Sequence, residues 1–218
     1  MPPLLKNLCR QVPLWAGVLF VSSMPVAADE LNAKIQSQVQ AVNESVVAWR
    51  RDIHANPELS NREFRTSALV AKHLQSLGME VQTGVAHTGV VGVLKGGKPG
   101  PVVALRADMD GLPVEEKTGL PYASKVRGEY QGKDVGVMHA CGHDNHVAIL
   151  MGAAQVLASV REELPGTVKF VFQPAEEGPP KGENGGAKMM IAEGVLGSAD
   201  VDATLGLHIS QGDGVGRA

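Results

Sequence analysis

The sequence predicts an α/β fold layered on one sheet, and three observations predict it. Short valine-rich segments alternate with longer stretches of helical periodicity. Those short segments are apolar nearly throughout, as strands covered on both faces are. The polar motifs fall where strands end, which is where open α/β sheets gather ligands. At 218 residues, 44% hydrophobic and 20% charged, the chain can bury a core without staples. A net charge of −3 gives no basic footprint, so nucleic acid is not expected as a partner.

The first 28 residues stand apart from the fold. Lys6 and Arg10 precede an apolar run from Val12 to about Val26, and the small residues of "VAA" end at Ala28. That is the layout of a secretory signal peptide. Pro13 and Pro25 break the run, which counts against a membrane anchor. The expectation is therefore a signal peptide over 1–28 and a secreted or periplasmic remainder, 29–218, with no stable membrane anchor. Cys9 leaves with the signal, so Cys141 is the one cysteine of the remainder and no intrachain disulfide is possible. A lone thiol in an oxidising compartment calls for burial or a metal.

The elements follow in order. Ile35, Val39, Val42, Val46 and Trp49 recur at three- and four-residue steps and predict a first helix stopped by Pro57. "NREFRTSALVAKHLQSLG" predicts a second, capped near Ser60 or Asn61 and closed by Gly78. "MEVQTGV", "GVVGVLKG" and "PVVALRA" read as strands. "VAILMGAAQVLASVREEL" reads as a buried helix, with Asp144 or Asn145 as its cap and Pro165–Gly166 as its end. A strand "GTVKFVFQ", a helix "GGAKMMIAEG" and a strand "VDATLGLH" complete the series.

The chemistry concentrates at the ends of these elements. "MHACGHDNHV" holds three of the seven histidines and Cys141 in ten residues. Cys141 and His143, two apart in a loop, can face one ion, and thiolate, imidazole and carboxylate together suit zinc or a similar metal. The competing readings are a helix-capping loop with incidental histidines, and Cys141 as a nucleophile. In "QPAEEG", Glu176 and Glu177 point in different directions, so one can bind metal while the other serves as a general base. His208 ends a strand at the same rim and becomes a ligand candidate. Asp108 and Asp110 of "RADMD" can support the site by hydrogen bonding or ligation, with Arg106 paired to either. His139 and His146 flank the cluster as lesser candidates. His54 reads as structural and His73 as a surface helix residue.

Six motifs in a fixed order carry a resemblance: "WRRDIHANPELSNREFRTS", "LRADMDGLPVEEKTGLPYAS", "MHACGHDNHVAILMGAA", "FQPAEEG", "GGAKMMIAEGVL" and "GLH". From about Val46 to His208 the chain resembles the hippurate hydrolase, N-acyl-amino-acid amidohydrolase and auxin-conjugate hydrolase family. That family belongs to the dinuclear metallopeptidase superfamily of aminoacylase and carboxypeptidase G. The resemblance implies a layered mixed sheet with helices on both faces, a dinuclear zinc-peptidase-like catalytic domain. It implies two divalent metal ions (zinc, manganese, or similar such as cobalt or nickel) held by Cys141, His143, Glu177 and His208, with Glu176 as general base. The implied reaction is hydrolysis of the amide bond of N-acyl amino acids, hippurate-like or N-acetylated, by a metal-activated water.

Two departures accompany the resemblance. The segment "PPKGEN" lengthens the turn after Glu177 and is expected near the site mouth. The family's chains continue well past "GDGVGRA" into a dimerisation domain and a final catalytic segment. Residues 29–218 are therefore expected to be the N-terminal part of a catalytic domain, C-terminally truncated, of an enzyme that is homo-oligomeric at full length. Two rival readings remain: an inactive metal-binding fragment, and a cysteine hydrolase using Cys141.

Overall fold

The computed structural model describes residues 24–196 and 201–210. Most of the expected signal peptide, residues 1–23, lies outside them. Helix α1 (Met24–Ala55) runs through the expected cleavage position and ends just before Pro57. Helix α2 (Phe64–Ser76) follows and closes at Gly78, whose φ of +70° is the left-handed geometry that favours glycine at a helix end. Neither Ser60 nor Asn61 caps α2. Glu58 does so from outside the helix, its two carboxylate oxygens accepting the N–H groups of Arg65 and Thr66 at 2.8 Å each.

Among the described residues the sheet has five strands, in the order β1-β2-β6-β3-β7. These are β1 (Glu80–Val85), β2 (Gly89–Lys95), β3 (Lys98–Asp108), β6 (Pro165–Gln173) and β7 (Ala203–Gly206). β1, β2 and β6 pair antiparallel, and β6, β3 and β7 pair parallel, so the sheet is mixed. A separate hairpin, β4 (Arg127–Tyr130) with β5 (Lys133–Gly136), was not legible in the sequence. Helix α3 (His143–Ser159) starts one residue before Asp144, and neither Asp144 nor Asn145 caps it. Pro165 and Gly166, expected to end that helix, instead open β6.

Alternation along the strands divides the core into two layers. Val90, Leu94, Ala107, Phe170 and Phe172 face one side, packed with Ile53 of α1, Val70 and Leu74 of α2, and Val147 and Met151 of α3. Val91, Ala104 and Val171 face the other, under Met190 of α4 (Gly186–Ala192) and Val195. Helices therefore cover both faces, as expected. Each fully buried phenylalanine contributes on the order of 1.5–3 kcal/mol of apolar transfer, which makes β6 the anchor of the larger layer. At the edge, Leu205 of β7 is 60% exposed. Among the described residues, no helix is long and apolar enough to cross a membrane.

This topology sets the site. Strands β3, β6 and β7 run parallel, so Asp108–Asp110, Pro174–Glu177 and His208 emerge at the same rim. The loop Met138–Gly142 delivers the N-terminus of α3 to that rim.

Candidate metal centre

Gly142 makes the entrance to α3 possible. Its φ is +85°, and a Cβ placed there would sit 2.3 Å from Ile209 Cδ1. A side chain at this position would be strained and would strike the segment carrying His208. The tight turn aims Cys141 and His143 inward together.

Among the described residues, three clusters of metal-competent side chains meet at the rim, each with its ligand atoms within 4.8 Å of one another: Cys141, His143 and His208; Asp108, His143 and His146; and His143, Glu176 and Glu177. His143 belongs to all three and is fully buried. Its Nε2 lies 3.6 Å from Asp108 Oδ1 and 3.8 Å from both Glu176 Oε2 and Glu177 Oε1. Those separations are too long for hydrogen bonds, and the nitrogen has no hydrogen-bond partner among the described residues. A buried, unbonded imidazole nitrogen facing three carboxylates fits a cation between them.

The tautomer of His208 fits as well. Its Nδ1 lies 2.6 Å from the carbonyl of Ile209, which can only accept, so Nδ1 carries the proton. Nε2 is then a lone pair, and it faces Cys141 Sγ at 3.5 Å. A ring nitrogen held by a carbonyl while the other faces a soft ligand is the usual support of a metal-binding histidine. Cys141, His143, Glu177 and His208, together with Glu176, thus fall within one neighbourhood.

His146 is different. Its Nδ1 donates to Asp108 Oδ1, and its Nε2 accepts the N–H of Ile209 at 3.0 Å. Both nitrogens are spent, so His146 braces the His208 segment. Arg106 Nη1 donates to Asp108 Oδ2 at 2.7 Å and Nε donates to Gln173, completing that brace. His139 is buried with neither nitrogen bonded among the described residues, and it enters none of the three clusters. Burial first of all pushes its pKa down, to about 4.

Charge at the rim is strongly negative. Burial opposes ionisation of Asp108, but the hydrogen bond from His146 and the nearby His143 and Arg106 hold its pKa below the usual range. Burial likewise opposes ionisation of Asp110, and His143, Ser60 and two backbone N–H groups overcome it. Burial works against protonation of His143, yet Asp110, Asp108 and Glu177 together raise its pKa. Burial, then Glu177, Glu176 and Asp108, push the Cys141 thiol up to about 11. A nucleophilic cysteine needs an electropositive setting that lowers its pKa, and this one is the reverse. The acidic surroundings favour a bound cation.

The acid turn itself is held from below. Asp110 Oδ1 accepts the N–H of Glu176 at 3.0 Å, and Oδ2 accepts the N–H of Glu177 at 3.1 Å and the Ser60 hydroxyl at 2.7 Å. Ser60 thus serves Asp110 in place of capping α2. The "PPKGEN" segment follows directly and is tied down by Glu183, which accepts from both Arg62 and Asn61. Those hydrogen bonds hold the Glu183 carboxyl down at about 2.

A second buried network lies behind Cys141 and His143. His54 Nδ1 pairs with Asp144 Oδ2 at 2.8 Å and Nε2 with Glu116 Oε1 at 3.1 Å, while Arg50 Nε reaches the same Asp144 oxygen at 2.8 Å. His54, read as structural from the sequence, has both ring nitrogens in this network and enters none of the three clusters. His73, expected at the surface, is partly buried: its Nε2 meets the Met151 carbonyl and its ring stands edge-on to Trp49.

Comparison with known proteins bears on these features. Residues 104–217 match the profile of peptidase family M20/M25/M40. Thermostable carboxypeptidase 1 of Saccharolobus solfataricus is 48% identical over 182 residues, 83% of this chain and 43% of the relative. N-acyl-L-amino acid amidohydrolase of Geobacillus stearothermophilus is 42% identical over 81% of this chain and 44% of its own length. The crystal structure of the Bacillus subtilis YXEP protein, described as a dinuclear metal binding peptidase from the M20 family, superposes with a TM-score of 0.68. It is 41% identical over 78% of this chain and 44% of that one. The chain spans less than half the length of these relatives.

Proposed function

Since the chain belongs to peptidase family M20/M25/M40, we propose that the protein is a metal-dependent amidohydrolase that cleaves the amide bond of N-acyl amino acids. The observation that carries this reading is the pairing at the rim of a buried, unbonded His143 Nε2 with a His208 Nε2 lone pair facing Cys141. Cys141, His143, Glu177 and His208 would hold the metal, zinc or manganese in kind and two ions in number. A divalent ion held there would polarise the scissile carbonyl and lower the pKa of a water.

The chain's own groups divide the remaining work. Glu177 lies against the thiol and contributes to holding it protonated, which supports its carboxylate as the ligand of the two. Glu176 is the more exposed of the pair, 37% against 26%. It would take a proton from water and return it to the leaving amine. Asp110 fixes both glutamates through their backbone N–H groups. His146 and Asp108 hold the Ile209 segment so that His208 keeps its proton on Nδ1.

The signal-peptide layout of residues 1–28 supports a secreted or periplasmic compartment, and the full-length enzyme is proposed to be a homo-oligomer. A cysteine hydrolase is disfavoured by the raised thiol pKa. The test is Glu176→Gln in protein loaded with zinc or manganese and assayed on N-benzoyl and N-acetyl amino acids. Metal content should stay unchanged and turnover should drop by ~10²–10⁴-fold. Wild-type turnover in the variant, or turnover by wild type that survives a chelator, would overturn the reading.

A further inference from the structure

We propose that Glu63 is a positioning residue: its buried carboxyl locks Ala175 in a left-handed conformation and so sets the directions in which Glu176 and Glu177 leave the backbone. The importance of those directions rests on the reading above, but the contacts themselves do not.

Glu63 occupies the N-cap position of α2 yet makes no side-chain cap there. Its side chain is fully buried and turns toward the rim. Oε1 accepts the N–H of Ala175 at 2.8 Å, and Oε2 takes the Thr88 hydroxyl from the β1–β2 turn. Ala175 has φ +47°, a region that a residue with a Cβ holds where its surroundings impose it. Pro174 precedes it, and the next two N–H groups, of Glu176 and Glu177, go to Asp110. Two buried carboxyls thus capture three consecutive N–H groups of one turn. Of the three ties, that from Glu63 falls on the N–H of the left-handed residue itself, and the Asp110 tie to Glu176 holds the peptide that follows it.

The tie does not depend on the charge of Glu63. Burial, first of all, raises its pKa to about 7, against the hydrogen bonds from Thr88 and Ala175 and with a further rise from Asp110. In the neutral form the oxygen facing Ala175 still accepts, and the other can donate to Thr88 Oγ1, since a hydroxyl does both. The requirement is an acceptor at that point, which glutamine also supplies and leucine does not.

The experiment uses the full chain carrying Glu63→Gln, Glu63→Leu, Ala175→Gly, and Glu63→Leu combined with Ala175→Gly. Two readouts are taken: hydrogen exchange at the residue 175 amide by NMR, and zinc affinity by competition with a chromophoric chelator. Glu63→Gln should keep the Ala175 amide protected and zinc affinity within about threefold of wild type. Glu63→Leu should deprotect that amide and weaken zinc by roughly 10–100-fold, the usual cost of losing a group that orients a ligand. In the Ala175→Gly background the left-handed backbone is freely accessible, so the same change should cost only a small part of that loss. Equal losses in both backgrounds would mean that Glu63 acts on the fold at large, and would overturn the proposal. So would a protected Ala175 amide in Glu63→Leu. If wild type binds no zinc, the metal reading fails, and exchange at Ala175 alone decides the role of Glu63. If Glu63→Leu does not fold, an exposed Ala175 amide in folded Glu63→Gln overturns it.

Discussion

Replacing Glu63 by glutamine should flatten part of the pH dependence of stability. The carboxyl titrates near 4.5 in an unfolded chain and near 7 in the folded one, chiefly because of its burial. Between those values the native protein keeps a proton that the unfolded chain has lost. Unfolding then releases a proton, so rising pH favours the unfolded state. The stabilising contribution is complete below pH 4.5 and gone above about pH 7. At ~1.4 kcal/mol per tenfold change in proton affinity, the interval corresponds to roughly 3 kcal/mol, of which about 2 should appear between pH 5 and pH 7.5. Other groups titrate in the same range, so the quantity to read is wild type minus variant. His87 beside Thr88, and Arg62 and Asp110 nearby, are common to both proteins. Urea unfolding at the two pH values gives it directly. Wild type should lose about 2 kcal/mol more than Glu63→Gln on going from pH 5 to pH 7.5. Parallel losses in the two proteins would show that Glu63 ionises normally in the fold and would refute the reasoning.

Two further outcomes follow from the site. Gly142→Ala should weaken zinc binding by about tenfold or more, because the new Cβ collides with Ile209, whose carbonyl fixes the His208 tautomer; a titration with wild-type affinity would remove that linkage. Cys141 should react slowly with a thiol-alkylating reagent once metal is loaded, since the ligand sulfur is shielded, and faster in the apo form; equal rates in protein shown to carry metal would take Cys141 off the ligand set.

Much of the frame was legible because it follows local pattern. The strands β1, β2, β3 and β6 are valine-rich segments bounded by glycine or proline, and α3 is apolar on nearly every side. The rim could be inferred because "RADMD", "QPAEEG" and "GLH" each follow such a run. The hairpin Arg127–Gly136 carries little β-branched or aromatic content and no alternation, so nothing local announced it. Helix caps misled for a related reason. Ser60 and Asn61 have the right chemistry for capping α2, but Asp110 and the Glu183–Asn184 segment claim them from 50 and more residues away. His73 looked exposed because its partners, Trp49 and the Met151 carbonyl, lie on other helices. Glu63 had no sequence signal at all: an acid at a helix start is expected to face solvent or cap the helix. Only the tertiary path from α2 to the acid turn gives it a purpose.

The central claim is that a divalent metal sits on the sulfur of Cys141 beside His143, Glu177 and His208. X-ray absorption on the zinc-loaded chain tests it most directly. The account predicts a sulfur scatterer at ~2.3 Å together with nitrogen and oxygen at ~2.0–2.2 Å, and loss of the sulfur shell in Cys141→Ser. A shell of nitrogen and oxygen alone around zinc bound stoichiometrically to the wild-type chain would contradict it.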